Sequence, residues 1–315
     1  MSRSPNPTVR VAVVQAESPA TLQGGLLEVR RQVASAAAAG CAMVVFGETW
    51  IPGYPAWLDH CPGAALWDHA PTKAVFSRLA DESVDVTGDD GAALARIAAD
   101  HGVTIVIGVV ERVASGAGRG TLYNTLLTYG ADGALLNHHR KLVPTYTERL
   151  VWGSGDTQGL RALETAGARV GGLVCWEHWM PLARQALHES GEDIHVAAWP
   201  TAHEMHQVAS RHYAFEGRCF VLVAAGLMRA GALPPELDRT EAVRDDDTWV
   251  LRGGSAIIGP DGNYIAAPVW DGPALLVADL PLRLVREGQL TLDVAGHSHR
   301  PDCFSFQVSS VERRS

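Results

Sequence analysis

Cys175 stands at the end of an apolar run, Gly171-Gly172-Leu173-Val174, and leads into Trp176-Glu177-His178-Trp179-Met180-Pro181-Leu182, residues able to open a helix. A thiol at a strand-to-helix turn can be met by the N–H groups of the opening turn, which lower its pKa and await negative charge on a substrate atom. Glu48 follows a second apolar run, residues 42–46, and precedes Thr49-Trp50-Ile51-Pro52-Gly53-Tyr54-Pro55, an aromatic loop stiffened by prolines. A half-buried carboxyl beside an aromatic wall has a raised pKa, the property of a general base or acid working near neutrality. Lys141 closes a strand-like stretch, residues 134–139, with Glu148 seven positions on. An ammonium close to a thiol favours the thiolate, and close to a tetrahedral adduct it stabilises the negative nitrogen or oxygen. Taken singly, each has a plain structural reading as well: a core cysteine, a solvent-facing strand-end glutamate, and Arg140 and Lys141 as solvated charges.

The elements that must carry these groups alternate. Residues 9–15 form an unbroken apolar run, as in a strand buried on both faces, and residues 21–39 have leucines and valines at helical spacing before Gly40. Strand patterns recur at 42–46, 103–110, 122–129, 169–174, 194–199 and 220–225. Helical patterns recur near 90–100, closed by Gly102, from about Pro181, and near 204–218. Such alternation predicts an α/β fold. The turn signals Tyr129-Gly130-Ala131-Asp132-Gly133 and Ile258-Gly259-Pro260-Asp261-Gly262 echo each other between strand-like flanks, which points to two related halves. Two sheets stacked with helices outside give a four-layer αββα sandwich. With no linker-like stretch, residues 1–315 read as a single domain, with a core at about 9–282 and a tail at about 283–315.

Composition narrows the classes of partner. Hydrophobic residues make up 47% and charged residues 19%, which supplies a large core and excludes a disordered chain. Lys and Arg number 26 against 35 Asp and Glu, a net charge of −9, so nucleic acid and anionic membrane surfaces are not expected partners. The polar start, residues 1–8, lacks the apolar core of a secretory signal, and no apolar stretch is long enough to span a bilayer. Cys41, Cys61, Cys175, Cys219 and Cys303 form an odd set without CxxC spacing, which fits neither a disulfide framework nor a zinc site and points to a reducing cytoplasm.

Together the three chemical stretches resemble the Glu-Lys-Cys signature regions of the nitrilase superfamily of carbon-nitrogen hydrolases, in that family's chain order. Phe46 to Pro55 resembles the glutamate region, His139-Arg140-Lys141-Leu142-Val143-Pro144-Thr145 the lysine region, and Cys175-Trp176-Glu177-His178 the nucleophile region. Cys-Trp-Glu followed by His, then Pro-Leu, is similar to the nitrilase branch and its cyanide-degrading relatives. The resemblance implies an αββα subunit, assembly as a homodimer or larger homo-oligomer, and no metal or organic cofactor. It also implies an auxiliary role for Glu148, which in this family holds the lysine and shares its proton. Trp199-Pro200-Thr201 resembles a pocket-lining segment, and Gly296-His297-Ser298-His299-Arg300-Pro301-Asp302 a closing tail motif.

The expected reaction is hydrolysis of a small organic nitrile, with Cys175 as nucleophile, Glu48 as base, and Lys141 and the Trp176 N–H stabilising the adducts. Tyr54, Trp57, His178, Trp179 and Trp199, with Pro200, are expected around the substrate, because aromatic walls exclude water and discriminate by shape. Amide hydrolysis on the same three residues is the main competitor, with cyanide as another substrate. A Cys/His hydrolase using His178, His195, His203 or His212 is chemically possible, but Glu48 and Lys141 argue against it. No GxSxG elbow occurs, and neither His138-His139 nor His203-Glu204-Met205-His206 has HExxH metal-ligand spacing.

Overall fold

The structure, a computed structural model, describes residues 7–309; the opening residues 1–6 and the last six, 310–315, lie outside the described residues. The first half runs β1 (Thr8–Gln15), α1 (Leu22–Ala38), β2 (Met43–Val45), α2 (Trp57–His60), α3 (Ala70–Asp81), α4 (Asp89–His101), β3 (Thr104–Arg112), β4 (Leu122–Tyr129) and β5 (Leu135–Arg140). The second runs β6 (Leu163–Thr165), β7 (Ala168–Val174), α5 (Pro181–Ser190), β8 (Ile194–Trp199), α6 (Glu204–Gly217), β9 (Phe220–Ala225), β10 (Leu227–Arg229), β11 (Trp249–Ile258) and β12 (Tyr264–Trp270). Strand β13 (Ala274–Pro281) and α7 (Arg283–Gln289) follow.

Local chemistry explains the main boundaries. The Thr21 hydroxyl caps α1 by accepting from the Gly24 N–H, and α4 ends at Gly102, whose φ of +62° suits a residue without a Cβ. Pro181 opens α5, where its missing N–H costs nothing. Strands β8 and β9 are buried at every position, as continuous apolar runs in a covered parallel sheet must be.

One sheet has the order β13-β1-β2-β3-β4-β5 and the other β10-β11-β9-β8-β7-β6, with β12 on β11. Their inner faces share one apolar cluster, in which Val11, Val13, Val45 and Leu126 meet Leu173, Val196, Val223 and Ile257. Ala183 and Leu187 of α5 and Ala209 and Tyr213 of α6 join it from the outer side of the second sheet. On the far face of the first sheet, Val29 and Val33 of α1 and Leu94 and Ile97 of α4 pack on Val14, Val44 and Ile107. The layers are therefore helix, sheet, sheet, helix, as the sequence predicts.

The echo between halves is physical. β1, β2 and β3 are parallel and continue antiparallel into β4 and β5, while β7, β8 and β9 are parallel and continue antiparallel into β11 and β12. The two turns share one bonding pattern. Gly130 N–H donates to Ala134 O and the Asp132 carboxylate accepts from Ala134 N–H; Gly259 N–H donates to Asn263 O and Asp261 accepts from Asn263 N–H. Among the described residues no helix is long and apolar enough to cross a membrane. The tail motif folds back on Asp293, whose carbonyl accepts from the Ser298 N–H at 2.8 Å.

Candidate active site

Three strand ends meet. Glu48 lies just past β2, Lys141 directly follows β5, and Cys175 directly follows β7, so the first sheet supplies the acid and the ammonium and the second the thiol. Backbone contacts lock these ends together: the Glu48 N–H donates to Trp199 O at 3.3 Å, and the Lys141 N–H donates to Asn124 O at 2.8 Å. Gly108 on β3 lies beneath Glu48, where a Cβ would stand 2.6 Å from Thr49 N and 2.8 Å from Glu48 Cα. Gly108→Val is therefore expected to displace Glu48, lowering stability by about 1 to 3 kcal/mol and activity further than that loss explains. Thermal melting and kcat/KM on the same preparation check both.

Arg140 and Lys141 leave the strand on opposite faces, as successive residues do. Arg140 forks onto Glu111 at 2.5 and 3.0 Å, while Lys141 turns inward and is 1% exposed. Its ammonium donates to Glu48 Oε1 at 3.1 Å and to Glu148 Oε2 at 2.7 Å. Glu148 also accepts from the Tyr54 hydroxyl at 3.0 Å and the Thr145 N–H at 2.7 Å, and Glu48 Oε1 accepts from Asn124 Nδ2 at 2.6 Å. One oxygen of each carboxylate and the Cys175 sulfur all lie within 4.8 Å of one another. Glu48 Oε2 is buried and meets no donor among the described residues. A buried carboxylate oxygen left open next to a thiol is a proton acceptor in waiting.

The electrostatics follow from burial. Desolvation pushes the Glu48 carboxyl up to about 7, with Lys141 opposing and Glu148 adding to the shift. Burial alone would discharge Lys141, but Glu48 and Glu148, joined by Cys175 once it ionises, outweigh it and hold the ammonium charged. The thiol departs from the sequence expectation. Burial and the Glu48 carboxylate push the Cys175 pKa well above the ordinary thiol range, despite Lys141 and the Trp176 N–H. The expected helix terminus is instead a 3₁₀ turn, Cys175–Trp179, with α5 starting only at Pro181, and the Trp176 N–H opposes the effect of burial on the sulfur. The resting nucleophile is thus a neutral thiol beside a base, and its proton leaves when substrate arrives.

Cys175 has φ of +52°, a backbone conformation that costs a non-glycine residue on the order of 1 to 3 kcal/mol and persists because its surroundings enforce it. Glu177 is one enforcer that sequence reasoning missed. Its carboxylate accepts from the Val174 N–H at 2.7 Å and from the Leu142 N–H at 2.8 Å, and pairs with His139 at 2.9 Å. It thereby ties the residue before the nucleophile to the residue after the lysine. Burial would raise the Glu177 pKa, but His139 and the two N–H donors hold it low. The available signal was its charge, three residues past an apolar strand.

The predicted wall residues divide. Tyr54 joins the cluster through Glu148 and also lines a cavity of about 400 Å³ with Pro52, Trp57, Leu79, Met228 and Leu233. Trp57 packs in a separate apolar cluster with Val110, Trp152 and Leu233. Trp199 is fully buried and stacks on His178 at 4.6 Å, and His178 in turn lies against the Cys175 carbonyl rather than on an open wall. Trp176 and Trp179 are exposed and meet edge to face at 5.7 Å, and Pro200 is half-buried. As for histidine bases, His178 spends Nδ1 on the Cys175 carbonyl, and His203 and His212 are exposed. His138 and His139 are engaged by Glu111 and Glu177. Glu48, Glu148 and Cys175 offer a metal-like donor set, yet Lys141 already fills it with an ammonium that any divalent cation must displace.

An αββα sandwich with a thiol, two carboxyls and an ammonium at the strand ends defines a cysteine hydrolase of carbon-nitrogen bonds. The carbon-nitrogen hydrolase family model matches residues 10–289, and the chain belongs to that family. It is 38% identical to a bifunctional nitrilase/nitrile hydratase of Lupinus angustifolius, over 96% of this chain and 86% of that protein. It is 36% identical to a nitrilase of Bradyrhizobium diazoefficiens, over 99% and 95%. Among solved structures, a carbon-nitrogen hydrolase from Helicobacter pylori superposes with a TM-score of 0.73 at 17% identity, covering 94% of this chain and 97% of that one. An amidase from Nesterenkonia superposes with a TM-score of 0.65 at 19% identity, covering 90% and 97%; these likenesses carry the fold.

Proposed function

We propose that this chain is a nitrilase, converting a small organic nitrile and two waters into the carboxylic acid and ammonia through Cys175, Glu48, Lys141 and Glu148. The observation that carries the reading is the open, buried Glu48 oxygen in a cluster with the neutral Cys175 thiol and an ammonium clamped by Glu48 and Glu148. Glu48 takes the thiol proton as sulfur adds to the nitrile carbon, and the nitrile nitrogen receives a proton by way of Lys141, giving a thioimidate. A water activated by Glu48 then adds, ammonia leaves the tetrahedral adduct, and a second water releases the acid and restores the thiol. Lys141 and the Trp176 N–H stabilise negative charge at each adduct. Glu148 keeps the ammonium in place and supplies the second acceptor for its protons.

Nitriles are favoured over amides because the relatives aligned over nearly the whole chain are named nitrilases. A panel of aliphatic, aromatic and arylacetic nitriles, cyanide and matching amides, scored for ammonia, acid and amide, tests the choice. Ammonia and acid from at least one nitrile are expected. Amides consumed while every nitrile survives would move the chain to amide hydrolysis. The cavity beside Tyr54 and Trp57 is the proposed seat of the nitrile's organic group.

Because Glu48 must be ionised to accept a proton and burial lifts it to about 7, kcat/KM is expected to rise with pH through about 7. The midpoint belongs to the coupled cluster as a whole. A rate profile from about pH 5 to about pH 9 checks it, and a flat acid side would remove Glu48 from the role of base.

A cytoplasmic location and a homo-oligomer, a dimer or larger, belong to the same proposal. Unbridged cysteines at 41, 61, 175, 219 and 303 support a reducing compartment. Exposed Leu182, Met205, Val208 and Phe215 on α5 and α6 support an association face, which light scattering after size exclusion reads.

A further inference from the structure

Behind the nucleophile runs a fully buried polar chain that the hydrolysis does not use directly. His178 Nδ1 lies 2.7 Å from Cys175 O, His178 Nε2 lies 3.0 Å from His195 Nε2, and His195 Nδ1 lies 2.8 Å from Glu192 Oε1. The Tyr213 hydroxyl donates to Glu192 Oε2 at 2.5 Å. A carbonyl can only accept, so His178 Nδ1 carries its proton and a neutral His178 presents Nε2 as acceptor. His195 must then donate through Nε2, its Nδ1 accepts, and Glu192 Oε1 must bear a proton. The chain closes only while it holds that proton.

Its far end matters because a peptide is planar and trans: fixing the Cys175 carbonyl on one side fixes the Trp176 N–H on the other. That N–H lowers the pKa of the thiol against the effect of burial. We propose that Glu192, His195 and Tyr213 are positioning residues, acting through His178 to hold the Cys175–Trp176 peptide with its N–H toward the nucleophile. The inference rests on the reading of Cys175 as the nucleophile.

Burial keeps both imidazoles neutral, lowering His178 to about 3 and His195 well below the ordinary range. Burial also lifts the Glu192 carboxyl to about 7, against the Tyr213 hydroxyl and the charge of His188. The other ionisable groups around it are Asp193 beside it in the chain, Glu216 on α6, which binds His188 at 3.1 Å and Arg184 at 2.7 Å, and Cys219 after α6. Below Glu192's pKa the chain is complete. Above it, the ionised Glu192 can only accept, so His195 carries its single proton on Nδ1 instead of Nε2, and the two Nε2 atoms face each other as acceptors.

Alkylation of Cys175 by iodoacetamide, followed by mass mapping of its peptide, reads the sulfur's environment without any nitrile. Glu192→Gln keeps a donor for His195 and an acceptor for Tyr213 but cannot ionise, whereas Glu192→Leu severs the chain. At about pH 6 the Leu variant is expected to react about ten-fold more slowly than wild type and the Gln variant within about two-fold. The Gln-to-wild-type ratio should then rise about five-fold by about pH 8.5. A Gln variant as slow as Leu, or a ratio that stays flat with pH, overturns the proposal. If the Leu variant does not fold, the Gln ratio alone decides. A wild type showing this pattern while hydrolysing no nitrile overturns the nitrile reading and leaves the positioning role standing.

Discussion

Cys175→Ala is expected to lower kcat by on the order of 10⁴ or more while leaving the protein folded. The argument is that attack, thioimidate and thioester all require the sulfur, so no partial chemistry survives its loss. What remains is a binding site that holds nitrile near Glu48 and Lys141, and members of such a unit contribute almost nothing alone. Stability should change little, because the resting thiol is neutral and shielded, and its removal leaves a small cavity costing about 1 kcal/mol. Cys175→Ser is the sharper control. Its hydroxyl restores the shape, yet it is a weak nucleophile at its free pKa, so turnover should stay near the alanine level. Intact-mass measurement during turnover should show an acyl adduct in wild type and none in either variant. Residual activity of the alanine variant above about a tenth of wild type would end the nucleophile assignment.

The cluster was legible because its members interrupt apolar strands at their ends, where the chain must turn and a polar side chain can face a cleft. Glu48 and Cys175 have this signature, at the ends of apolar parallel strands, while Lys141 ends the more polar strand Leu135–Arg140 and is marked by its position at a strand end alone. The groups that hold the cluster together left a fainter trace. Asn124 sits within Leu122–Tyr129 alongside the polar Thr125 and Thr128, and only the fold shows that it faces Glu48. Glu177 and His139 are 38 positions apart, and their pairing depends on the two sheets stacking. Their neighbours in sequence place His178 and Trp199 at the pocket wall; side-chain direction out of a 3₁₀ turn or a strand end is not encoded in spacing, and the structure turns both toward α6, against Tyr213 and Ser210. The helix Ala70–Asp81 buries only Val75 and so lacks a clear apolar stripe. The strand Ala274–Pro281 is a half-exposed edge that pairs with the first strand of the chain, a contact between distant segments that no local pattern announces. The lowered thiol pKa failed for a related reason: spacing placed an ammonium and an N–H nearby, but only the packed structure shows that desolvation beats them.

Lys141→Met should damage both activity and stability. Among the described residues the ammonium is the cation that separates Glu48 from Glu148, whose oxygens otherwise lie within 4.8 Å in a buried site. Removing one partner of a buried ionic group costs about 3 to 5 kcal/mol, because the charges left behind are uncompensated. For a chain of this length that lowers Tm by roughly 5 to 8 °C. The pH dependence has a definite sign. Without the cation, the Glu48 carboxyl rises further above its unfolded value, so its contribution is retained below the unfolded pKa and lost as pH climbs through the folded one. The Tm gap between wild type and Lys141→Met should therefore be smallest at about pH 5 and widen toward about pH 8. Turnover should fall by about 10³, since the adduct nitrogen loses both its proton donor and its countercharge. Adding Glu148→Gln removes one of the two opposed carboxylates, and the double variant should regain much of the lost Tm but none of the activity. A double variant no more stable than Lys141→Met would mean that packing of the lysine stem, not carboxylate repulsion, sets the loss, and a Tm gap constant with pH would say the same.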